Sequence, residues 1–419
     1  VTGFCLDPVS TALVPAAPAG ARARLLARGC SMLFRRAVSR LPLRVEYPDG
    51  TVLGLDAHTE PLPRMILRDP DAFFARVGSL GLIGFGESYT AAEWTSPDPA
   101  AVLTVLAARL TELVPAGLQS LRSFLLPSPP TSQDGTAANA RTNIEHHYDL
   151  SNELFQLFLD ETMTYSSALF EDPATASWPL LADAQRYKID RLLDAAGVRA
   201  GTRVLEIGSG WGELCVRAAA RGATVHSVTL SNRQLELARI RVAAAGFADS
   251  VVLELCDYRD VRGEYDAIVS VEMIEAVGYR YWPTYFDVLA QRLAPGGRVA
   301  LQAITMPHDR MLASRDTYTW IQKYIFPGGS LPSTRAITTT AHRAGLRVRE
   351  NSCFGEHYAT TLRLWRERFD AHAAEVAALG FDATFRRLWQ FYLAYSEAGF
   401  RSGYLDVQQI VLHRPEEQS

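Results

Sequence analysis

The chain has 419 residues, 48% of them hydrophobic and 21% charged, which allows two domains with cores of their own and excludes a disordered chain. Its 42 basic and 46 acidic residues leave a net charge of -4, so no global positive field recruits nucleic acid or anionic lipid, and any membrane contact must come from a local patch. No apolar run reaches the roughly 18 residues of a spanning helix, no signal-peptide pattern opens the chain, and five scattered cysteines without a CxxC pair argue against a disulfide framework or a metal site and for a reducing cytoplasm.

Along the chain, the runs at 43–47 and 51–55 read as short strands hinged by Pro48-Asp49-Gly50, followed by helical segments at 72–77 and 101–113. These predict a small α+β accessory domain over 1–126 without obvious catalytic residues. Residues 127–139 (PSPPTSQDGTAAN) concentrate Pro, Ser and Gly, which reads as a linker over 127–142. The remainder, 143–419, alternates strands and helices. Its strand candidates at 203–208, 224–230, 251–256, 265–271 and 298–305 predict a mostly parallel, doubly wound, Rossmann-like α/β sheet, with runs at 346–353 and 404–413 extending its edge.

Residues 204–212 (VLEIGSGWG) form an apolar strand that carries Glu206 and then Gly208, Gly210 and Gly212, with Trp211 inside the turn. Glycine leaves no Cβ between the strand end and a ligand, and the next helix aims its N-terminus at that ligand. The GxGxG spacing favours S-adenosylmethionine (SAM) over a dinucleotide, whose fingerprint is GxGxxG; a tight turn without ligand is the alternative. Glu206 is placed to order the loop or the amino acid moiety. After the next strand, Thr229-Leu230-Ser231 and Gln234 offer hydroxyl and amide where an acid often grips the ribose, and Asp257-Tyr258 offers a carboxylate and either an adenine platform or a packing ring.

Together with HYDLSN (147–152), MTYS (163–166), DYRD (257–260), YIFP (324–327) and LPS (331–333), this loop resembles the bacterial cyclopropane-fatty-acyl-phospholipid synthases and the mycolic acid cyclopropane synthases, over residues 143–413. GFGESY at 84–89 is similar to the accessory domain of the full-length, phospholipid-acting enzymes. The resemblance implies a class I SAM-dependent methyltransferase that releases S-adenosyl-L-homocysteine. In it Tyr165 and Ser166 reach over the SAM carboxylate, the glycine loop, Thr229, Leu230 and Gln234 hold the ribose and amino acid end, and Asp257 and Tyr258 face the adenine. It also implies a bicarbonate ion acting as base, caged at the positions of Ser167, Glu275, Gln302, Ile304 and Tyr358.

Two of those five depart from the family pattern. Ser167 stands where the cyclopropane synthases have cysteine and Gln302 where they have histidine, while Ala276 replaces a second histidine of many relatives. Serine keeps a donor and an acceptor, and glutamine keeps an N–H donor but does not titrate. Repulsion between glutamate and bicarbonate predicts that Glu275 takes the bicarbonate proton or is protonated itself; a solvated helix-start charge is the alternative. Glu272 and His357 read equally well as surface groups.

The stretches MTYSSALF (163–170), SVEMIEAVG (270–278) and SEAGFRSGYLD (396–406) are similar to actinobacterial enzymes linked to tuberculostearic acid. That likeness implies methylation of an oleoyl phospholipid to a 10-methylene chain, a separate reductase, a peripheral position on the inner face of the membrane and a homodimer through the small domain. An isolated alkene is a weak nucleophile, so the methyl must be held in line and the resulting cation stabilised. Losing a proton from the new methyl with ring closure gives a cyclopropane; hydride migration first gives a methylene, and Ser167 and Gln302 are expected to weaken the base toward that outcome. A true cyclopropane synthase, a small-molecule SAM methyltransferase and a catalytically silent lipid-binding protein are the competing readings. Tyr318, Trp320, Tyr324, Phe326, Trp365 and Phe400 line an acyl tunnel or belong to the core.

Overall fold

The computed structural model describes residues 14–55, 62–109, 130, 139, 151–315 and 317–415. Most of the expected linker, the His147–Leu150 part of one family motif and the end of the helix expected at 101–113 lie outside the described residues. The chain divides into two compact units, one of Val1–Ser128, Thr317–Lys323 and Leu362–Tyr404, the other of Pro129–Asp316, Tyr324–Thr361 and Leu405–Ser419.

In the first unit, α1 (Ala21–Val38), β1 (Arg44–Glu46), β2 (Val52–Leu53), β3 (Arg64–Leu67), α2 (Pro70–Thr90), β4 (Trp94–Thr95) and α3 (Pro99–Ala108) follow one another, the strands forming a sheet in the order β2-β1-β3-β4. Local sequence starts the helices. Asp69 and Asp98 accept the Ala72 and Ala101 N–H groups at 3.0 and 3.3 Å, each followed by a proline at the first helical position. Helix α2 runs past the expected 72–77 to Thr90, bending at Gly81 (φ 59). Its GFGESY segment is a packing device: a Cβ on Gly84 would lie 2.3 Å from the Arg76 carbonyl oxygen, and one on Gly86 2.4 Å from the Trp320 ring.

A single cut near residue 127 does not reproduce this unit, because the segment after Leu362 folds with it. Its long helix, Ala383–Arg401, packs on α2 and α3, with Phe391 among Tyr89, Trp94 and Trp320 at centroid distances of 5.5, 6.4 and 4.7 Å. Aromatic burial outweighs sequence proximity here.

The second unit holds α4 (Asn152–Phe158), α5 (Leu181–Ala196), β5 (Arg203–Ile207), α6 (Glu213–Ala220), β6 (Thr224–Thr229), α7 (Asn232–Ala244), β7 (Val251–Leu255), β8 (Tyr265–Val271), α8 (Ile274–Val277), α9 (Trp282–Arg292), β9 (Leu293–Thr305), α10 (Thr334–Arg343), β10 (Arg347–Cys353) and β11 (Asp406–His413). Its seven-stranded sheet has the order β10-β11-β9-β8-β5-β6-β7. All pairings from β9 to β7 are parallel, and β11 is antiparallel to both neighbours. The two late strands do extend one edge, but β11, the last in sequence, is inserted between β9 and β10. Alternation buries the sheet on both faces: Leu205, Ile207 and Ile268 meet α9, while Val204, Ala267 and Val269 meet α5, α6 and α7. This is the class I methyltransferase architecture.

Candidate active site

Beyond the carboxyl ends of β5, β6 and β8, where connections leave the central strand in opposite directions, a parallel sheet leaves a crevice. Here it is a cavity of about 940 Å³ including its open mouth, lined by Tyr165, Ser166, Glu206, Gly208, Gly210, Trp211, Thr229, Leu230, Gln234 and Tyr258 among others. Ten of the twelve residues expected around SAM thus face one space. The other two do not line it. Gly212 opens α6 at φ 92 with Ala238 against its Cβ position, and Asp257 is turned to Arg259, accepting from its N–H, Nε and Nη2 at 3.0, 2.8 and 2.6 Å.

The turn itself is held from below. Glu206 Oε2 accepts the Ser227 hydroxyl at 2.5 Å and the Cys215 thiol at 2.7 Å, and burial pushes its carboxyl up to about 7. Trp211 donates to Asn152 Oδ1 at 2.8 Å and packs on Phe155, so the described end of the HYDLSN motif braces the loop. Gly208, at φ 94, has no room for a side chain: a Cβ would meet Met273 at 2.5 Å. The Tyr258 hydroxyl is buried without a partner among the described residues. A bare backbone cradle beside a buried aromatic with an unfilled polar atom fits SAM.

The five residues expected to cage an anion also come together, around a sixth that sequence reasoning set aside. Glu272 Oε1 accepts the Ser167 N–H at 3.0 Å and Gln302 Nε2 at 2.9 Å, and its Oε2 accepts the Tyr358 hydroxyl at 2.7 Å. Ser167 contributes its backbone only, because its hydroxyl donates to the Ala168 carbonyl at 2.9 Å. Glu275 Oε1 accepts the Ile304 N–H at 2.5 Å, while its Oε2 is buried with no partner among the described residues. Burial and then the nearby Glu272 carboxylate push Glu275 up to about 8, so it is neutral at pH 7, but the repelling charge is a side chain of the chain itself.

Lys188 is a second residue that sequence reasoning missed. Fully buried on α5, it lines the cavity and donates to Ser166 Oγ at 2.6 Å; burial depresses its ammonium to about 8, with Glu272 and Asp160 opposing. His357 is structural: its Nδ1 accepts the Phe170 N–H at 3.1 Å. None of the six aromatics considered for an acyl tunnel lines this cavity.

The profile of the family described as mycolic acid cyclopropane synthetase matches residues 136–410. The chain belongs to that family. It is 58% identical over 97% of its length to the tuberculostearic acid methyltransferase UfaA1 of Mycobacterium tuberculosis, covering 95% of that protein. A cyclopropane-fatty-acyl-phospholipid synthase of Escherichia coli is 33% identical over 83% of this chain and 87% of its own. Among solved structures, mycolic acid cyclopropane synthase CmaA1 complexed with SAH and CTAB superposes with a TM-score of 0.59 at 32% identity, over 65% of this chain and 97% of that one. This family member is therefore an enzyme, a SAM-dependent methyltransferase.

A bicarbonate does not fit the arrangement that the resemblance implied. Its side-chain and backbone donors from Ser167, Gln302 and Tyr358 are engaged by Glu272, and a second anion would sit against that carboxylate.

Proposed function

We propose that the chain methylates the double bond of an unsaturated, oleoyl-type chain of a membrane phospholipid and releases a 10-methylene acyl chain, which a separate reductase saturates on the way to tuberculostearic acid. One observation carries the chemistry: a half-buried carboxylate pair, Glu272 and Glu275, adjoins a cavity that fits SAM, so a proton acceptor is built in beside the methyl donor. The likeness to a tuberculostearic acid methyltransferase supplies the substrate class.

When bound, SAM supplies an electrophilic methyl on a sulfonium. In this reading Tyr165 and Ser166 would hold its carboxylate end, Gly208 to Gly212 and Glu206 would shape the loop beneath it, Thr229, Leu230 and Gln234 would hold the ribose, and Tyr258 would offer its ring to the adenine with Asp257 behind it. Residues 163–167 keep water away from the reacting carbons, and neutral Glu275 with the Ile304 N–H fixes the far wall of the acid cluster.

Lipid contact falls to the first unit. Helix α1 contains no acidic residue and exposes Leu25 and Met32, 72% and 68% accessible and seven positions apart on one face, between Arg22, Arg28 and Arg36. Apolar side chains flanked by arginines suit the headgroup boundary of an anionic bilayer. No helix among the described residues is long and apolar enough to cross one.

The test is mass spectrometry of acyl chains after incubating the full chain with SAM and oleoyl phosphatidylglycerol vesicles. A gain of one CH2 whose fragmentation places an exocyclic methylene at mid-chain is the expected result. A cyclopropane would overturn the product assignment, and unchanged lipid despite SAM binding would overturn the substrate.

A further inference from the structure

We propose that Glu272 is the proton acceptor of the methyl transfer and occupies the place of a dissolved anion, so that the reaction runs without bicarbonate. The inference rests on the reading above for its substrate, but its structural basis is separate. Glu272 follows β8 at φ 52, a left-handed conformation that costs a residue with a Cβ about 1–2 kcal/mol. That conformation is held by its own N–H, which donates to the Gln302 carbonyl at 2.7 Å, and it delivers the side chain to the cavity wall.

Three donors then converge on the carboxylate, and none of them is a cation. Gln409 Nε2 donates to Gln302 Oε1 at 3.2 Å, which turns the Gln302 amide so that its NH2 faces Glu272. A carboxylate has about four acceptor positions; three are filled here, and one remains for an incoming proton. Burial raises the Glu272 carboxyl above its ordinary range, and Lys188 on the same wall and the three donors oppose that rise, whereas Glu275 has one backbone donor and keeps its own proton. Of two neighbouring acids, the structure thus prepares one as base and the other as spectator.

The alkene π pair forms the new C–C bond while the S–CH3 pair stays on sulfur; a hydride moves from the methylated carbon to its cationic neighbour; a C–H pair of the new methyl becomes the methylene π bond; and its proton passes to Glu272, which later releases it through the cavity mouth.

The experiment compares wild type, E272Q and E272G with SAM and oleoyl phosphatidylglycerol vesicles in buffer stripped of carbon dioxide, with and without added bicarbonate. Wild type is expected to be indifferent to bicarbonate. E272Q should lose about 100-fold or more in rate, the scale of a missing general base, with SAM binding retained, and E272G should regain at least about tenfold of its loss when bicarbonate fills the vacated space. Line broadening of 13C-bicarbonate in NMR reads the same place without any lipid: none with wild type, broadening with E272G. A wild type that requires bicarbonate or broadens its resonance, or an E272Q as fast as wild type, overturns the proposal. If no variant makes lipid product, the substrate reading fails and the NMR comparison still decides the role of Glu272 as anion surrogate.

Discussion

Glu87 and Glu397 in the first unit and Glu272 and Glu275 in the second are all drawn away from water, yet they are satisfied by different chemistry. Glu87 lies between Lys323 Nζ at 2.6 Å and Arg76 Nη1 at 3.5 Å, and Glu397 between Arg366 Nε at 2.9 Å and Arg401 Nη1 at 3.1 Å. Each is paired with cations, and neither lines the cavity of the second unit. Glu272 is instead held by neutral donors, and Glu275 has one backbone N–H and a bare oxygen. A carboxylate paired with cations away from the cavity supports the fold; one held by neutral groups beside the cavity can take up the proton of a reacting group.

The sharpest way to break this comparison is to neutralise the architectural acid. E87Q is expected to lower unfolding stability by about 3 kcal/mol, the low end for breaking a buried ion pair because Lys323 keeps some access to water. Urea unfolding measures the loss, and the activity per folded molecule should stay at the wild-type level. A stable but inactive E87Q would mean that the first unit contributes chemistry and that the contrast is false.

The next effect belongs to the cofactor turn. G208A forces a Cβ to 2.5 Å from Met273 at φ 94, and with about 1–2 kcal/mol of backbone strain SAM affinity by calorimetry should fall at least about tenfold. G246A, also at positive φ (+82) but with nothing within 4 Å of its Cβ position, should leave SAM affinity unchanged. Equal effects would show that general strain, rather than the cradle, governs binding.

How much of this was readable beforehand follows the same divide. The strands of the second unit and the glycine turn announce themselves because most are apolar, β-branched-rich runs and the first of them is ended by glycine, and the structure puts them within a residue or two of expectation, except that β9 begins at Leu293. Glu272 was hidden by its neighbour: one acid in SVEMIE was assigned the chemistry, and strand alternation alone does not say which of two acids three apart turns inward. Lys188 was passed over, yet the spacing Leu181, Ala184, Lys188, Leu192 places it on the buried stripe of α5; that signal was present in the sequence. The first unit was harder to read because its core is completed by residues 362–404, which no local pattern links to α2.

A smaller expected effect concerns the exposed side of that first unit. M32E puts a charge on the apolar face of α1, and binding to anionic phospholipid vesicles, measured by sedimentation, should fall about tenfold, the value of partly burying one such side chain. SAM affinity should be unaffected. Unchanged vesicle binding would move the lipid contact elsewhere.

The smallest effect tests Glu275 through pH. Its carboxyl, raised from 4.5 to about 8 in the folded chain, binds a proton that the unfolded chain has already released across that window, so its contribution makes stability fall as pH rises from 4.5 toward 8. Glu206, raised to about 7, acts with the same sign. Lys188 acts in a different window: its value is lowered from 10.5 to about 8, so the penalty for burying its charge is present below 8 and is relieved only between 8 and 10.5. Urea midpoints between pH 6 and 8 therefore read the acids. E275Q should flatten that slope by about 1 kcal/mol across the two pH units, allowing for its partial accessibility. An unchanged slope would mean that Glu275 is already ionised at pH 6, and with it would go the division of the pair into a base and a neutral neighbour.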